Sequence, residues 1–172
     1  TEPEAITLNV KDFGAFGDGV HDDTSAIQAA ILCCPENARV LIPKGTYPVT
    51  ALFLKSDMIL ELQENAVLAG IYDRARTPIL PGQIEYDNED GYYNLGSWEG
   101  NPIDSFASMI TGIHVKNVTI CGKGVLDGRA DFENWWSRPK DKIRAWRPRM
   151  IFLNHCENIT VVGVTVQNSP AW

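Results

Sequence analysis

The sequence predicts an all-β fold, a right-handed parallel β-helix whose N-terminal end is covered by one short helix. Three segments of the 172 residues share one pattern, in which short β-branched runs alternate with corners of Asn and Gly. They lie at 147–172, at 114–128 and, less regularly, at 55–70. Short strands that recur with marked corners are typical of stacked coils in a solenoid. The last segment is the clearest, with the runs Met150–Leu153, Ile159–Val162 and Val164–Val166.

The corners of these segments align with one another. Residues 117–120, Asn-Val-Thr-Ile, match residues 158–161, Asn-Ile-Thr-Val. In this alignment Gly122 falls near Gly163. Asn tolerates the left-handed backbone conformation and forms hydrogen bonds through a short side chain. We therefore expect Asn117, Asn154 and Asn158 to be corner residues, stacked in a ladder along the solenoid.

The N-terminal region predicts the cap. Alternating residues at Ile6–Asp12 indicate a first strand, and a glycine-rich turn follows it. A helix is expected at 24–34, with Ser25 and Gln28 at the spacing of a capping box and Pro35 ending it. Such a helix can cover the apolar end of a solenoid. Its apolar face comprises Ile27, Ala30 and Ile31.

The chain is expected to form one domain with two insertions. Residues 71–105 are rich in Gly, Pro, Asn and aromatics and have no period, and a connection of this length is functional or a small appended element. The second insertion spans 129–146 and contains three tryptophans. The intervening segments are predicted as short strands, at 39–47, 52–54, 58–62, 66–68 and 106–111.

Charge limits the possible partners. The net charge of −7 argues against nucleic acid or an anionic membrane as the main partner. Residues 138–149 nevertheless carry six Lys or Arg and one Asp, whereas 85–90 carry four acids and no base. For each run, a solvated loop without a function is as good an interpretation as a functional one. The functional alternative for the basic run is a patch that binds an anionic ligand such as a uronate sugar.

Neither a metal site nor a cofactor is indicated. The four cysteines, Cys33, Cys34, Cys121 and Cys156, lack metal-ligand spacing and are expected to be buried thiols. No apolar run approaches the roughly 20 residues of a membrane helix. The first ten residues have no signal-peptide pattern, so such a leader is either absent or already removed.

Two groups of motifs resemble a known family. The segment at 9–31, NVKDFGAFGDGVHDDTSAIQAAI, resembles the cap shared by pectin-active β-helix proteins and some phage tailspikes. The motifs Gly122-x-Gly-x-Leu-Asp-Gly128 and Asn168-Ser-Pro-x-Trp172 are more selective. They resemble glycoside hydrolase family 28, the polygalacturonase family with a pectin-lyase-like solenoid, and especially its bacterial exo-acting branch. The resemblance covers about 6–172.

The resemblance implies hydrolysis of α-1,4-galacturonan with inversion, by a secreted or periplasmic bacterial enzyme that needs no cofactor. In the family the catalytic aspartates lie in an Asn-Thr-Asp motif and an Asp-Asp pair, which follow the Asn-Ser-Pro-x-Trp segment. This chain contains no Asn-Thr-Asp motif, and its one Asp-Asp pair, Asp22-Asp23, fits the cap motif rather than the catalytic pair. We therefore assign no catalytic residue and expect an N-terminal portion that is inactive and poorly soluble when expressed alone.

Four residues are candidates for binding a pectic sugar. Arg147 precedes Pro148 where the family also has Arg-Pro, and it could pair with a uronate carboxylate, or else be a surface residue. Trp135 and Trp136 could stack on a sugar or pack under the second insertion. Trp172 is the fourth candidate, with stacking along the solenoid as its alternative. Asp127 is expected to be a turn residue.

The two insertions favour exo action, because long loops on one edge can close a cleft into a pocket for a chain end. Two other functions stay open. One is a non-catalytic carbohydrate-binding solenoid, such as a tailspike or adhesin segment that shares the cap. The other is a pectate lyase, which ranks lowest because the strands carry no acidic cluster with calcium-ligand spacing.

Overall fold

Short strands dominate the part of the chain that the structure describes, and its one α-helix precedes most of them. The computed structural model describes residues 6–85, 92–99 and 101–172. The N-terminal elements are β1 (Thr7–Asn9), a 3-10 helix (Val10–Phe13), α1 (Thr24–Cys33), β2 (Ala38–Ile42), β3 (Gly45–Val49), β4 (Leu52–Phe53), β5 (Met58–Leu62) and β6 (Ala66–Gly70). The first insertion contains β7 (Ile79–Leu80), β8 (Gln83–Glu85), β9 (Tyr92–Asn94), β10 (Ser97–Trp98), β11 (Asn101–Pro102) and β12 (Ser105–Phe106). The later strands are β13 (Ile110–Ile113), β14 (Lys116–Gly122), β15 (Val125–Asp127), β16 (Ile151–Asn154), β17 (Glu157–Val161) and β18 (Thr165–Gln167).

Three parallel sheets wind into a β-helix, so the predicted fold class is confirmed. Their strand orders are β1-β2-β5-β14-β17, β3-β6-β15-β18 and β4-β13-β16, and every pair is parallel. Each full coil contributes one strand to each sheet, in the triplets β4-β5-β6, β13-β14-β15 and β16-β17-β18. The two insertions therefore leave the helix at equivalent points, after β6 and after β15.

The Asn ladder forms at one corner of the coils. Asp57, Asn117 and Asn158 all have left-handed backbones, with φ of 60°, 57° and 55°. The Asn117 amide donates to Asp57 Oδ1, and the Asn158 amide donates to Asn117 Oδ1, each at 2.8 Å. The prediction is wrong for Asn154, which lies in β16 and donates to the carbonyl of Leu95 at 3.0 Å. The left-handed corner of this coil lies one residue later, at His155, so Asn154 keeps the extended backbone of the strand.

The apolar core fills the space between the three sheets. Val40, Leu60 and Ile120 occupy one register position on successive coils, and each is fully buried. Full burial of an aliphatic side chain stabilises a fold by about 1.5–3 kcal/mol. Val161 holds the same position in the last coil but is 43% exposed, since no described coil stacks on its other side.

The helix α1 covers the other end of the core. Ile27, Ala30 and Ile31 are fully buried against it. The Gln28 amide pairs with both backbone groups of Phe53, accepting from its N–H at 2.8 Å and donating to its carbonyl at 2.9 Å. This side chain thereby replaces a neighbouring strand on the edge of β4.

Two local predictions at the cap are wrong. The capping box does not form, because Gln28 faces β4 and Asp23 is the N-cap residue without a side-chain cap bond. The buried Asp23 carboxylate instead accepts from the N–H groups of Phe16 and Gly17, at 2.8 and 3.0 Å. The predicted strand at Ile6–Asp12 stops at Asn9, whose side chain caps the 3-10 helix by accepting from Lys11 N–H.

The first insertion forms antiparallel pairs, in contrast to the coils. These are β7 with β12, β8 with β9 and β10 with β11. The acidic run at 85–90 lies, apart from its first residue, outside the described residues. The second insertion is tied to the first by a parallel bridge between Ser105 and Trp146. Turn residues fill most of its length.

All four cysteines are free thiols, and they differ in burial. Cys34 is buried and Cys121 and Cys156 are partly buried, but Cys33 is exposed. The expectation of burial is therefore wrong for Cys33, which lies on the solvent side of the last helical turn. Burial raises the pKa of Cys34 and, together with Glu61, that of Cys121. A raised pKa keeps these thiols protonated and unreactive at neutral pH.

Candidate functional site

A pocket of about 480 Å³ lies between the two insertions and the last coil. The first insertion supplies one wall, the second insertion supplies the opposite wall, and residues around the last coil complete the lining. Pockets of this size accommodate small ligands such as one or two sugar rings. The lining residues are Trp98, Asn101, Ile103, Ser105, Pro139, Lys140, Trp146, Arg147, Arg149, Ala171 and Trp172.

The pocket carries three cations and, among its described lining residues, no carboxylate. Lys140 is exposed and has no ion-pair partner among the residues that the structure describes. Arg149 uses one Nη2–H to reach the carbonyl of Ser97 at 3.0 Å, and its backbone N–H donates to Ser108 Oγ at 2.9 Å. This arrangement fixes the Arg149 side chain and leaves donors of its guanidinium for an anion.

Arg147 and Trp136 together hold the backbone before Trp172. The Arg147 Nη1–H donates to the carbonyl of Pro170 at 2.7 Å, and Trp136 Nε1–H donates to the carbonyl of Ser169 at 2.9 Å. The guanidinium carbon of Arg147 lies 4.0 Å from the centre of the Trp136 ring, in cation–π contact. We call these two side chains and the segment Ser169–Pro170 the clamp.

No acid among the described residues pairs with Arg147. Burial, and to a lesser degree the nearby charge of Arg74, lowers the pKa of Arg147. Two guanidinium groups that share an environment without an acidic partner favour the arrival of an anion. Arg147 is thus a structural residue of the clamp and also a source of positive potential at the pocket.

Two tryptophan rings line the pocket. Trp172 meets Trp136 edge to face, with ring centroids 5.7 Å apart. Trp98, at the end of the β10 strand, is 51% exposed on the opposite wall. Exposed aromatic faces are the surfaces on which the C–H groups of sugar rings stack.

Trp135 does not belong to this surface. It is only 3% exposed, and its ring meets Phe106 and Tyr72 edge to face at 5.5 and 4.9 Å. The guanidinium carbon of Arg74 lies 4.9 Å from its centre. Trp135 therefore packs under the second insertion, which is the alternative that the sequence left open for it.

Asp127 is a corner residue that joins two coils. Its carboxylate accepts from the backbone N–H of Arg129 and from the side chain of Asn168, both at 2.9 Å, and from Gln167 at 3.3 Å. Burial raises the pKa of Asp127, but these hydrogen bonds together outweigh it and hold the pKa below its ordinary value. Asp127 therefore stays ionised and fixes Asn168 at the start of the clamp segment.

The structure adds four pocket residues to those that the sequence indicated. These are Trp98, Lys140, Trp146 and Arg149, and the last three lie in the basic run at 138–149, which was the signal in the sequence. The described residues contain no group of three or more His, Cys, Asp or Glu side chains suited to a metal ion. The cations, indoles and amide of its described lining equip the pocket to bind an anionic ligand.

The family model "Glycosyl hydrolases family 28" matches residues 74–172, which is more than half of the chain. The chain belongs to this family. A second model, "Rhamnogalacturonase A/epimerase, pectate lyase-like", matches residues 7–120, the cap and first coils. The exo-poly-alpha-D-galacturonosidase of Dickeya chrysanthemi is 37% identical over 167 residues, which cover 95% of this chain and 26% of that protein.

Solved structures of family 28 enzymes share this fold. The family 28 exopolygalacturonase of Yersinia enterocolitica superposes with a TM-score of 0.77 at 28% identity, over 99% of this chain and 36% of its own. The hyperthermoactive exopolygalacturonase of Thermotoga maritima gives a TM-score of 0.75 at 25% identity, over 100% and 44% of the two chains. The chain thus spans between a quarter and a half of the length of these relatives. No helix in its described part is long and apolar enough to span a membrane.

Proposed function

We propose that this chain is the N-terminal portion of an exo-acting family 28 hydrolase that cleaves α-1,4-galacturonan with inversion. The observation that carries the proposal is the pocket between the two insertions, with three cations and the rings of Trp98 and Trp172 in its lining. In this proposal the pocket binds the terminal uronate of the polysaccharide. The names of the relatives, an exo-poly-alpha-D-galacturonosidase and two exopolygalacturonases, agree with it.

The chemistry of the lining fits a uronate sugar. A carboxylate at the pocket would accept from Lys140 and from the free donors of Arg149, and such charge-assisted bonds are the strong ones. The rings of Trp98 and Trp172 would contact the apolar faces of the sugar. The polar side chain of Asn101 is available for a sugar hydroxyl.

The described residues of the pocket would bind and orient the substrate, and the hydrolytic groups would come from elsewhere in the enzyme. Inverting hydrolysis uses one carboxylic acid to protonate the leaving oxygen and one carboxylate to activate water, about 6.5–9.5 Å apart. No catalytic residue is assigned in this chain. We therefore expect the 172 residues expressed alone to be inactive on polygalacturonate. A polymeric substrate also favours action outside the cytoplasm, in a secreted or periplasmic enzyme.

Product analysis tests the proposal. The complete protein is incubated with polygalacturonate, and the products of the first minutes are separated by anion-exchange chromatography. Release of monomeric galacturonate supports exo hydrolysis, and a ladder of oligomers rejects it. Reducing ends released by the 172-residue chain alone would contradict the assignment of catalysis to other residues.

Substitution of Lys140 by Ala links the activity to the pocket. Removing this cation should raise KM for polygalacturonate by roughly tenfold, which corresponds to one charge-assisted hydrogen bond, with little change in kcat. Lys123 is a matched control, since it lies on the β14–β15 corner and outside the pocket lining. An unchanged KM for Lys140→Ala would remove the pocket from the proposal.

A non-catalytic carbohydrate-binding solenoid, such as a tailspike or adhesin segment, is the second candidate. The cations and indoles of the pocket would serve a protein that only binds galacturonan equally well. The same incubation separates the two, because a binding protein would retain galacturonan without releasing any reducing ends. A pectate lyase would instead release unsaturated products.

A further inference from the structure

The two walls of the pocket are not positioned by the β-helix itself. Trp98 and Asn101 belong to the first insertion, and Pro139 and Lys140 belong to the second. None of these four residues pairs with a coil strand, so the stacking of coils does not set their separation. Arg149 and Asn154 of the last coil hold the first insertion by donating to the carbonyls of Ser97 and Leu95. Contacts between the insertions must therefore position the second wall against the first.

Among the described residues, backbone contacts join the insertions only at their bases. Trp146 N–H donates to the carbonyl of Asp104, and Phe106 N–H donates to the carbonyl of Trp146, both at 2.9 Å. Residues 138–144, which contain Pro139 and Lys140, lie before this connection. We call this segment the tip of the second insertion.

Two side-chain contacts connect the first insertion to the tip in the described structure. One is an ion pair between Lys142 and Asp104, with 3.7 Å between its charged atoms. Its side chains are 46% and 50% exposed, and exposed pairs of this kind contribute little. The other contact is made by Arg74, at the start of the first insertion, whose Nη1–H donates to the carbonyl of Ile143 at 3.1 Å.

Arg74 is held in place by aromatic rings. Its guanidinium carbon lies 4.9 Å from the centre of the Trp135 ring, 5.6 Å from Phe106 and 5.7 Å from Tyr72. Its Nε–H also donates to the Tyr72 hydroxyl at 3.3 Å. A planar guanidinium can stack on rings and donate at its edge at once, which an ammonium group cannot. No carboxylate pairs with it among the described residues.

We propose that Arg74 is the positioning residue that holds the tip of the second insertion over the pocket, and thereby restricts the enzyme to chain ends. The inference rests on the proposed exo activity and deepens it. Arg74 touches no lining residue of the binding surface directly, and it acts through Ile143 and Trp135. When its contacts are removed, the tip can move away and the pocket opens into a through-going cleft.

The experiment compares initial products of the complete protein and its Arg74→Met and Arg74→Lys variants on polygalacturonate. A charge-assisted hydrogen bond changes such an equilibrium by roughly tenfold or more, so we expect the ratio of monomer to oligomer to fall by about tenfold in Arg74→Met. Arg74→Lys should give a smaller fall, because it keeps the charge but loses the stacked fork.

Arg76→Met is the matched control. This arginine lies two residues away on the same insertion, but it pairs with Asp22 and Asp73 at 3.1 and 2.7 Å, on the side of the cap. Its variant should keep the wild-type product ratio. A variant that is merely less stable would show a lower rate, but its ratio of monomer to oligomer would not change.

The outcomes separate this inference from the proposed function. If the wild-type protein releases a ladder of oligomers, exo action is rejected and the role of Arg74 falls with it. If the wild type releases monomer and both Arg74 variants do so in the same ratio, only the role of Arg74 is rejected. Should Arg74→Met fail to fold, Arg74→Lys decides the matter by the same ratio.

Discussion

The clamp allows a quantitative test of how the end of the chain is held. Arg147→Met removes the charged donor to Pro170 and the cation over Trp136. A hydrogen bond from a charged group contributes about 1.5–3 kcal/mol, and a partly buried cation–π contact about 0.5–2 kcal/mol. Because methionine retains part of the packing, we expect Arg147→Met to lower the free energy of unfolding by about 2–4 kcal/mol.

A double-mutant cycle isolates the contact between the two side chains of the clamp. Trp136→Leu removes the ring and the donor to Ser169, and by itself should cost about 2–4 kcal/mol. If Arg147 and Trp136 stabilise each other, the double variant loses less than the sum of the single losses. The difference should be about 0.5–2 kcal/mol, the range of a cation–π contact.

Equilibrium unfolding in urea, followed by circular dichroism and tryptophan fluorescence on the complete protein, gives these free energies. Arg138→Met serves as the control, since Arg138 pairs with Asp141 at the surface, with side chains 67% and 48% exposed. Its loss should stay within about 0.5 kcal/mol of zero. Single losses that add to within about 0.3 kcal/mol would refute an energetic contact between Arg147 and Trp136.

Two further predictions concern the solenoid. Gly122 and Gly14 have nearly the same left-handed φ, +98° and +95°. A Cβ on Gly122 would clash with the carbonyl oxygen of Leu62, whereas a Cβ on Gly14 would meet nothing within 4 Å. Gly14→Ala should therefore lower the free energy of unfolding only by the backbone strain of about 1–2 kcal/mol. Gly122→Ala should lower it clearly more, as measured by the same urea unfolding. Equal losses would contradict the steric reasoning. Hydrogen bonds from the backbone N–H groups of His21 and Val20, and from the His21 ring, lower the pKa of the exposed Asp18 to about 2. Since the folded pKa lies below the unfolded value, this stabilisation is present above about pH 4 and is lost between about pH 4 and 2, and Asp18→Asn should flatten the unfolding temperature against pH in that window.

Periodic features of the fold could be predicted from the sequence. Asn117 and Asn158 align in the sequence, and the same alignment appears as their hydrogen bond between coils. This works because each coil repeats the same backbone path, so sequence spacing translates directly into a position in space. The buried face of the helix α1 follows for the same reason, since its apolar residues recur with the helical period.

The candidate site could be predicted only in part. Arg147, Trp136 and Trp172 stand near the family motif, and the structure brings them to one place. Trp98 and Lys140 lie in insertions without any period, so the distance between them depends on contacts such as that of Arg74 with Ile143. A local pattern contains no information about such contacts.

Two neighbouring tryptophans illustrate the limit. Trp135 and Trp136 have the same local composition around them, yet the first is buried against Phe106 and the second lies under Arg147 at the clamp. Gln28 is similar, because its spacing from Ser25 indicates a capping box while the edge of β4 offers it two better-placed backbone groups. In both cases a partner distant in sequence decides the position.

The sequence by itself determined the parallel β-helix, its cap, the two insertions and the family, because repeating corners and short motifs encode local geometry that every coil reuses. The tertiary structure decided which walls face each other and which cations remain without an acid among the described residues. It also decided which indole is buried and which reaches solvent, as for Trp135 and Trp98. These properties depend on packing between aperiodic segments, and only the folded chain brings those segments together.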